Sequence, residues 1–278
     1  MMNTTRKITR KIALMAIAGM ALATTSAHAV VTYNQGDLLM GFRKSGVSTD
    51  VVINIGQASL YRDNVSSFNV TVGNLGSMLT ANFGAGWASD PGLLWAVIGN
   101  PANSGSDFSG DTSGTSYISK EQTTLGTQSA PWSISSANRA LAATRQQTLQ
   151  GQFALQTQDG ANNFATTWDN TIQNAAEADW TDSMTGLGRS SLAFGVFSPT
   201  LIQGADASGL TNNGLDLYRL LAGSSGTTGV SYEGTFTING TGGVAFTTAA
   251  VPEPSRAILL VAGLGALGLR RRRRVAQA

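Results

Sequence analysis

The chain has 278 residues, 42% of them hydrophobic and 12% charged, with 33 glycines and no cysteine. That composition excludes a disordered polyelectrolyte, a coiled coil and, with no triplet glycine period, a collagen helix. The net charge of +2 conceals a division: between Val30 and Ala250 eight basic residues face fifteen acidic ones, so an acidic body lies between two basic ends. Phosphate backbones are held by clustered Lys and Arg, which this body lacks, so no nucleic-acid partner is expected.

Residues 1–29 read as a signal peptide. Arg6, Lys7, Arg10 and Lys11 form a basic start, Ile12 to Ala23 an apolar run, and Ala27-His28-Ala29 a small-x-small cleavage site. As a helix the run would rise about 18 Å, short of a bilayer core of about 30 Å; an uncleaved anchor is the alternative. Cleavage after Ala29 makes Val30 the first mature residue and removes His28, the sole histidine. A mature chain without His or Cys has no Ser-His-Asp or Cys-His nucleophile, no ordinary zinc site and no common haem or iron–sulfur ligand set. It must also fold without disulfides. No cofactor is expected. Carboxylate chemistry, a lysine, or calcium held by oxygen ligands remains open.

In the body, Asp37 to Phe42 and Asp50 to Ile55 are apolar runs around a Ser/Gly turn, which predicts an antiparallel pair. Leu75, Leu79, Phe83 and Trp87, with Met78 beside them, predict an amphipathic helix that Gly84 and Gly86 should stop before Trp87. Leu93 to Ile98 reads as a buried strand, and Pro101 to Gly114 as a flexible Ser/Gly/Asp/Asn loop. A helix capped by Ser135 or Ser136 should run to about Gln150. Phe164, Trp168, Ile172, Ala176 and Trp180 form a second four-residue stripe and predict another helix, its aromatics a core face or a platform for a sugar ring. Ser191 to Phe197, Leu215 to Leu221, Ser231 to Ile238 and Gly243 to Thr248 read as strands, with Asn239-Gly240 as a hairpin turn. The expected fold class is α+β: a mainly antiparallel, sandwich-like β body with two or three inserted helices, plus the N-terminal signal helix and a C-terminal membrane helix.

Candidate chemistry in the body is sparse. Asp107 and Asp111 in the loop, and Glu177, Asp179 and Asp182 after the stripe, could offer oxygens to calcium, but neither set has the spacing of a known calcium loop. Both sets read as solvated carboxylates, and no metal site is assigned. No S-x-x-K, no G-x-S-x-G elbow and no phosphate loop occurs in the body. Asn64-Val65-Ser66 and Asn69-Val70-Thr71 match a glycosylation pattern, which carries little weight on its own.

Residues 251–278 carry the clearest signal. Val251, Pro252, Glu253, Pro254 and Ser255 form a stiff Pro-x-Pro junction. Residues 257–269 are an apolar helix of about 20 Å, and Arg270, Arg271, Arg272, Arg273 and Arg274 form a basic stop that stays cytoplasmic. Gly263 to Gly268 spells G-x-G-x-x-G but lacks the strand before it and the acidic residue after it, so these glycines read as small residues of a membrane helix.

The three-part tail resembles the PEP-CTERM sorting signal of Gram-negative bacteria. The resemblance implies processing by signal peptidase and an exosortase, and passage through the inner membrane to the cell surface or biofilm matrix. Gly36 to Arg43 and Leu215 to Leu220 are similar to segments of an uncharacterised group of such proteins, which implies no molecular activity. The resulting domain plan is signal peptide 1–29, exported body 30–250 and sorting signal 251–278. The expected function is a secreted, non-enzymatic surface or matrix protein associated with exopolysaccharide. The alternatives are a carboxylate-dependent extracellular glycan hydrolase for the body and a plain single-pass anchor for the tail.

Overall fold

Strand β1 (Asp37–Lys44) pairs antiparallel with β2 (Thr49–Gln57) on one side and β4 (Leu93–Gly99) on the other, Phe42 standing opposite both Val51 and Trp95. A strand buried between two neighbours and under two faces needs apolar side chains at every position, which is why β1 and β4 read as continuous apolar runs. Alternation then divides them: Leu38, Met40 and Phe42 face one core, Leu39 the other. The computed structural model describes residues 30–101, 105–158, 165–169, 180–185 and 209–248.

Around this centre lie β3 (Phe68–Val70), β5 (Ser116–Glu121), β6 (Ala165–Asp169), β7 (Leu215–Leu220), β8 (Val230–Ile238) and β9 (Val244–Thr248). Together they form one antiparallel sheet in the order β3-β9-β8-β7-β5-β4-β1-β2-β6. The domain is thus mixed α+β, with a single curled nine-stranded sheet in place of the expected sandwich. Curling does the work of a second sheet. Helix α1 (Ala58–Asp63) leaves the end of β2 and places Tyr61 against Phe236 and Phe246 of the far strands, with ring centroids 5.2 and 5.0 Å apart. Phe68, at 5.6 Å from Tyr61, completes an aromatic cluster inside the curl, and Tyr61 Oη donates to the Ile55 carbonyl at 2.6 Å.

Helix α2 (Leu75–Phe83) fills the rest of that concave face with Leu75, Met78, Leu79 and Phe83. It ends where expected, at Gly84, whose φ of +89° suits a residue without Cβ. Helix α3 (Ser136–Phe153) covers the opposite face, capped by Ser135 Oγ, which accepts the Asn138 N–H at 3.3 Å. Ala142, Leu149 and Phe153 pack it on the sheet's second core, and polar contacts lie among them: Gln146 Nε2 donates to the Tyr117 carbonyl at 3.1 Å and Gln150 Nε2 to the Asp37 carbonyl at 3.0 Å. Fully buried Arg139 donates to the carbonyls of Leu221 and Gly226 at 3.0 and 2.7 Å, tying the helix to the β7–β8 connection.

The second aromatic stripe is a correction. Residues Ala165–Asp169 form strand β6, not a helix, with Ala165 opposite Ile53 and Thr167 opposite Val51 of β2. The free edge of β2 accepts the β-branched Thr166 and Thr167, and Thr166 Oγ1 donates to the Thr157 carbonyl at 2.8 Å. Trp180 opens helix α4 (Trp180–Thr185) and is buried against β1. The predicted strand Ser191–Phe197, both terminal helices, Glu177 and Asp179 lie outside the described residues.

Candidate functional site

The end of the sheet where β1 starts and β2 finishes gathers a cluster of hydrogen-bonded polar groups around Asp37. Asp37, almost fully buried, accepts the Asn34 N–H at 2.8 Å and Asn54 Nδ2 at 2.7 Å on Oδ2, and Gln57 Nε2 at 2.5 Å on Oδ1. Asn54 is fixed in turn, donating to the Thr32 carbonyl and accepting the Gly56 N–H at 2.8 Å. These groups, with Thr71, line a recess of about 370 Å³. Gly56 opens onto it: its φ is +92° and no atom lies within 4 Å of where a Cβ would stand.

The loop before β5 comes close to the recess at Gly36. Ser109 and Gly110, at φ +50° and +86°, make a tight turn closed by reciprocal Phe108 and Asp111 backbone hydrogen bonds of 2.9 Å. The turn lays Phe108 against Gly36 and drives Asp111 inward. There Asp111 meets Arg219 Nε at 2.5 Å, Arg62 Nη1 at 3.0 Å and Tyr117 Oη at 3.1 Å. Arg62 also pairs with Asp63 at 2.6 Å and donates to the Ser109 carbonyl at 2.7 Å. Burial, seconded by the Asp111 charge, raises the Tyr117 hydroxyl above its ordinary pKa, so it acts as a donor at any physiological pH. The expectation that Asp107 and Asp111 are both solvated is therefore half right. Asp107 stays exposed, accepting the Ser113 N–H at 2.9 Å, whereas Asp111 is buried at 1% exposure between two guanidiniums.

Glu233 on β8 belongs to the same charged neighbourhood. Burial, more than the repulsion of Asp111, lifts its carboxyl above the usual range, against the opposing pull of its Ser231 hydrogen bond and of Arg219. The folded state therefore binds this proton more tightly than the unfolded chain. Its contribution to stability is fully present below the unfolded pKa and is lost as pH rises through the folded one. Replacing Glu233 with Gln should raise the melting temperature at pH 7 and change it little at pH 4; thermal unfolding at the two values decides it. An equal shift at both would disprove the linkage.

Two further buried aspartates are tied off in the same manner as Asp37. Asp50 accepts the backbone and hydroxyl of Thr181, both at 2.8 Å, pinning α4 to β2. Asp216 accepts Gln122 Nε2 at 2.7 Å, Thr235 Oγ1 at 2.6 Å and the Ser129 N–H at 2.5 Å, holding the connection after β5. Each carboxylate accepts two or three hydrogen bonds that fix its position. What the recess offers is an array of fixed amide and carboxyl groups, the chemistry that meets neighbouring hydroxyls of a ligand.

None of this was visible as spacing. Asn34, Asp37, Asn54 and Gln57 stand on two strands and a turn, and Arg219 lies 108 residues from Asp111. The one local signal was Ser109-Gly110, a turn pair that could have predicted an inward-facing neighbour. Of the targeting residues, Val30 bridges to Thr157, and the Val31 N–H donates to the Gln156 carbonyl at 3.0 Å. Ala27, Ala29, residues 251–255 and residues 270–274 lie outside the described residues, and Asp182 lies in α4. Among the described residues no group of three His, Cys, Asp or Glu could hold a metal, and no helix is long and apolar enough to cross a membrane. Comparison of the chain with protein-family models, curated proteins and solved structures finds no match.

Proposed function

We propose that the chain is an exported cell-surface or matrix protein of the PEP-CTERM type whose body is a non-catalytic module for hydroxyl-rich exopolysaccharide. The observation that carries the proposal is the ordered tail: the Pro-Glu-Pro junction at 252–254, the apolar run 257–269 and Arg270 to Arg274, behind a body that opens with a small-x-small cleavage site at 27–29. The Asp37 recess supports the choice of partner. Its amide groups come from Asn34, Asn54 and Gln57, and a volume of about 370 Å³ admits a sugar ring. A non-catalytic role is supported by how the carboxylates are used. Glycoside hydrolysis requires two acids facing one bond, one of them free to give its proton. Asp37, Asp50, Asp111 and Asp216 are instead committed to holding loops and helices in place.

The test has two parts. The intact mass of protein recovered from its own bacterium, envelope and medium separately, should correspond to a chain starting at Val30 and lacking Arg270 to Arg274. That form should be retained on the host's exopolysaccharide, and Asp37→Asn should weaken retention. A chain that keeps its arginines in the inner membrane would replace sorting by plain anchoring. Release of reducing ends from the polysaccharide would replace the binding module by a hydrolase.

A further inference from the structure

Asn-Gly occurs twice in the chain, at Asn213-Gly214 and Asn239-Gly240, and the fold treats the two pairs in opposite ways. Asn213 is 5% exposed, its Nδ2 donates to Glu121 Oε1 at 2.7 Å, and a Cβ on Gly214 would collide with the Gln122 amide. Asn239 and Gly240 are both exposed at the tip of the β8–β9 hairpin, and nothing lies within 4 Å of where a Gly240 Cβ would stand. The hairpin is also wider than the two-residue turn that Asn-Gly alone predicts. Its loop is closed by Asn239 N–H to the Gly243 carbonyl at 2.9 Å and Gly242 N–H to the Asn239 carbonyl at 3.0 Å.

Inside that loop the Asn239 side chain is held by its oxygen. Oδ1 accepts Thr241 N–H at 3.0 Å, Thr241 Oγ1 at 2.7 Å and Gly243 N–H at 2.8 Å. Three donors on one amide oxygen polarise its carbonyl carbon and stabilise negative charge developing on that oxygen, the arrangement of an oxyanion hole. The following residue carries no side chain to obstruct its own backbone nitrogen. We propose that Asn239 is a site of spontaneous deamidation to aspartate and isoaspartate, selected by the fold over Asn213.

The chemistry needs only water. Solvent base removes the Gly240 amide proton, and that nitrogen attacks Asn239 Cγ, forming an N–C bond and placing charge on Oδ1. Collapse breaks the Cγ–Nδ2 bond and releases ammonia, protonated by solvent, leaving a cyclic imide. Water opens the imide at either carbonyl, giving an aspartyl or an isoaspartyl link; the net change is amide plus water to carboxylic acid plus ammonia. The aspartate product keeps its carboxylate in the concavity of Thr241 and Gly243 N–H groups, which favours an anion. The isoaspartate product lengthens the backbone where the hairpin presses on α2, since Thr241 O and Gly242 N stand against Gly76. The reaction thus adds a negative charge at the hairpin tip and can loosen its seat.

The whole chain is incubated at neutral pH, and both asparagine peptides are followed over time by mass spectrometry, with isoaspartate identified by its enzymatic methylation. The same chain in denaturant supplies the intrinsic rates. In the folded protein Asn239 should convert about tenfold or more faster than Asn213, because Asn213 can react only through local opening. In denaturant the two rates should converge. Thr241→Val, at an exposed position, should reduce the native rate at Asn239 while leaving Asn213 unchanged. A native ratio no larger than the denatured one overturns the proposal, as does a Thr241→Val rate equal to that of the parent chain.

Discussion

Asp111→Asn lowers the free energy of unfolding by about 3 kcal/mol, read as a reduced urea midpoint with an unchanged slope. The substitution keeps the shape of the side chain and removes its charge. It leaves Arg219, at 2.5 Å, and Arg62, at 3.0 Å, facing each other without the carboxylate between them. The cost arises chiefly from Arg219, left without its carboxylate, and less from Arg62, which keeps Asp63, since removing one partner of a buried pair exposes the desolvation of the other. The two guanidiniums are 16% and 18% exposed, so water reaches part of them, which places the figure at the lower end of the range for buried pairs. A second variant separates the causes. Asp111→Asn combined with Arg219→Met removes one stranded charge and should recover part of the loss. If the double variant is less stable than the single one by the full effect of Arg219→Met alone, the charges do not act on each other. A midpoint within error of the parent chain would mean the loop before β5 is not anchored by Asp111.

The same residues show what a sequence can and cannot disclose. Strands β1, β2 and β4 are legible as apolar runs, β7, β8 and β9 as β-branched, aromatic or alternating segments between Gly, Ser and Asn turns, and α2 because Leu75, Leu79 and Phe83 repeat with the helical period. The failure at residues 165–169 follows from arithmetic: side chains four residues apart share a face in a helix and in a strand alike, because four is also a multiple of two. The stripe therefore could not decide between them, and the open edge of β2 did. The buried face of α3 was harder still. It meets the sheet through Ala142, Leu149 and Phe153 but also through Arg139, Gln146 and Gln150, whose polar ends are satisfied by backbone carbonyls and interrupt the apolar stripe. The candidate site is assembled from residues distant along the chain, where hydrogen-bond partners replace periodicity as the organising rule. Asp37 and Asp111 read from sequence as a strand end and a loop carboxylate; only the curled sheet brings Asn54, Gln57, Arg62 and Arg219 to them.

Gly41 should be among the least replaceable residues of the body, for a reason that a double variant can isolate. It sits in the central strand β1, on the face opposite Met40 and Phe42, where Trp180 of α4 is fully buried. A Cβ on Gly41 would lie well under 3.0 Å from three atoms of the Trp180 indole, a distance real Cβ atoms essentially never show. Its φ is not in the left-handed region, so the backbone would accept alanine and the obstacle is packing alone. Gly41→Ala is accordingly expected to cost about 2 to 3 kcal/mol through forced displacement of the indole and of α4 with it. Trp180→Ala should cost about 3 to 5 kcal/mol as a large-to-small change in a core. In the Trp180→Ala background the added methyl group enters the space the indole vacated, so Gly41→Ala should become neutral or slightly stabilising. The coupling read from the four unfolding curves should then be about 2 to 3 kcal/mol, within the range seen for residues in direct contact. Additive losses would show that α4 does not rest on Gly41. Because the adjacent Thr181 holds the same end of α4 on Asp50, a displaced indole should also weaken that contact, and Asp50→Asn should cost less in the Gly41→Ala chain than in the parent.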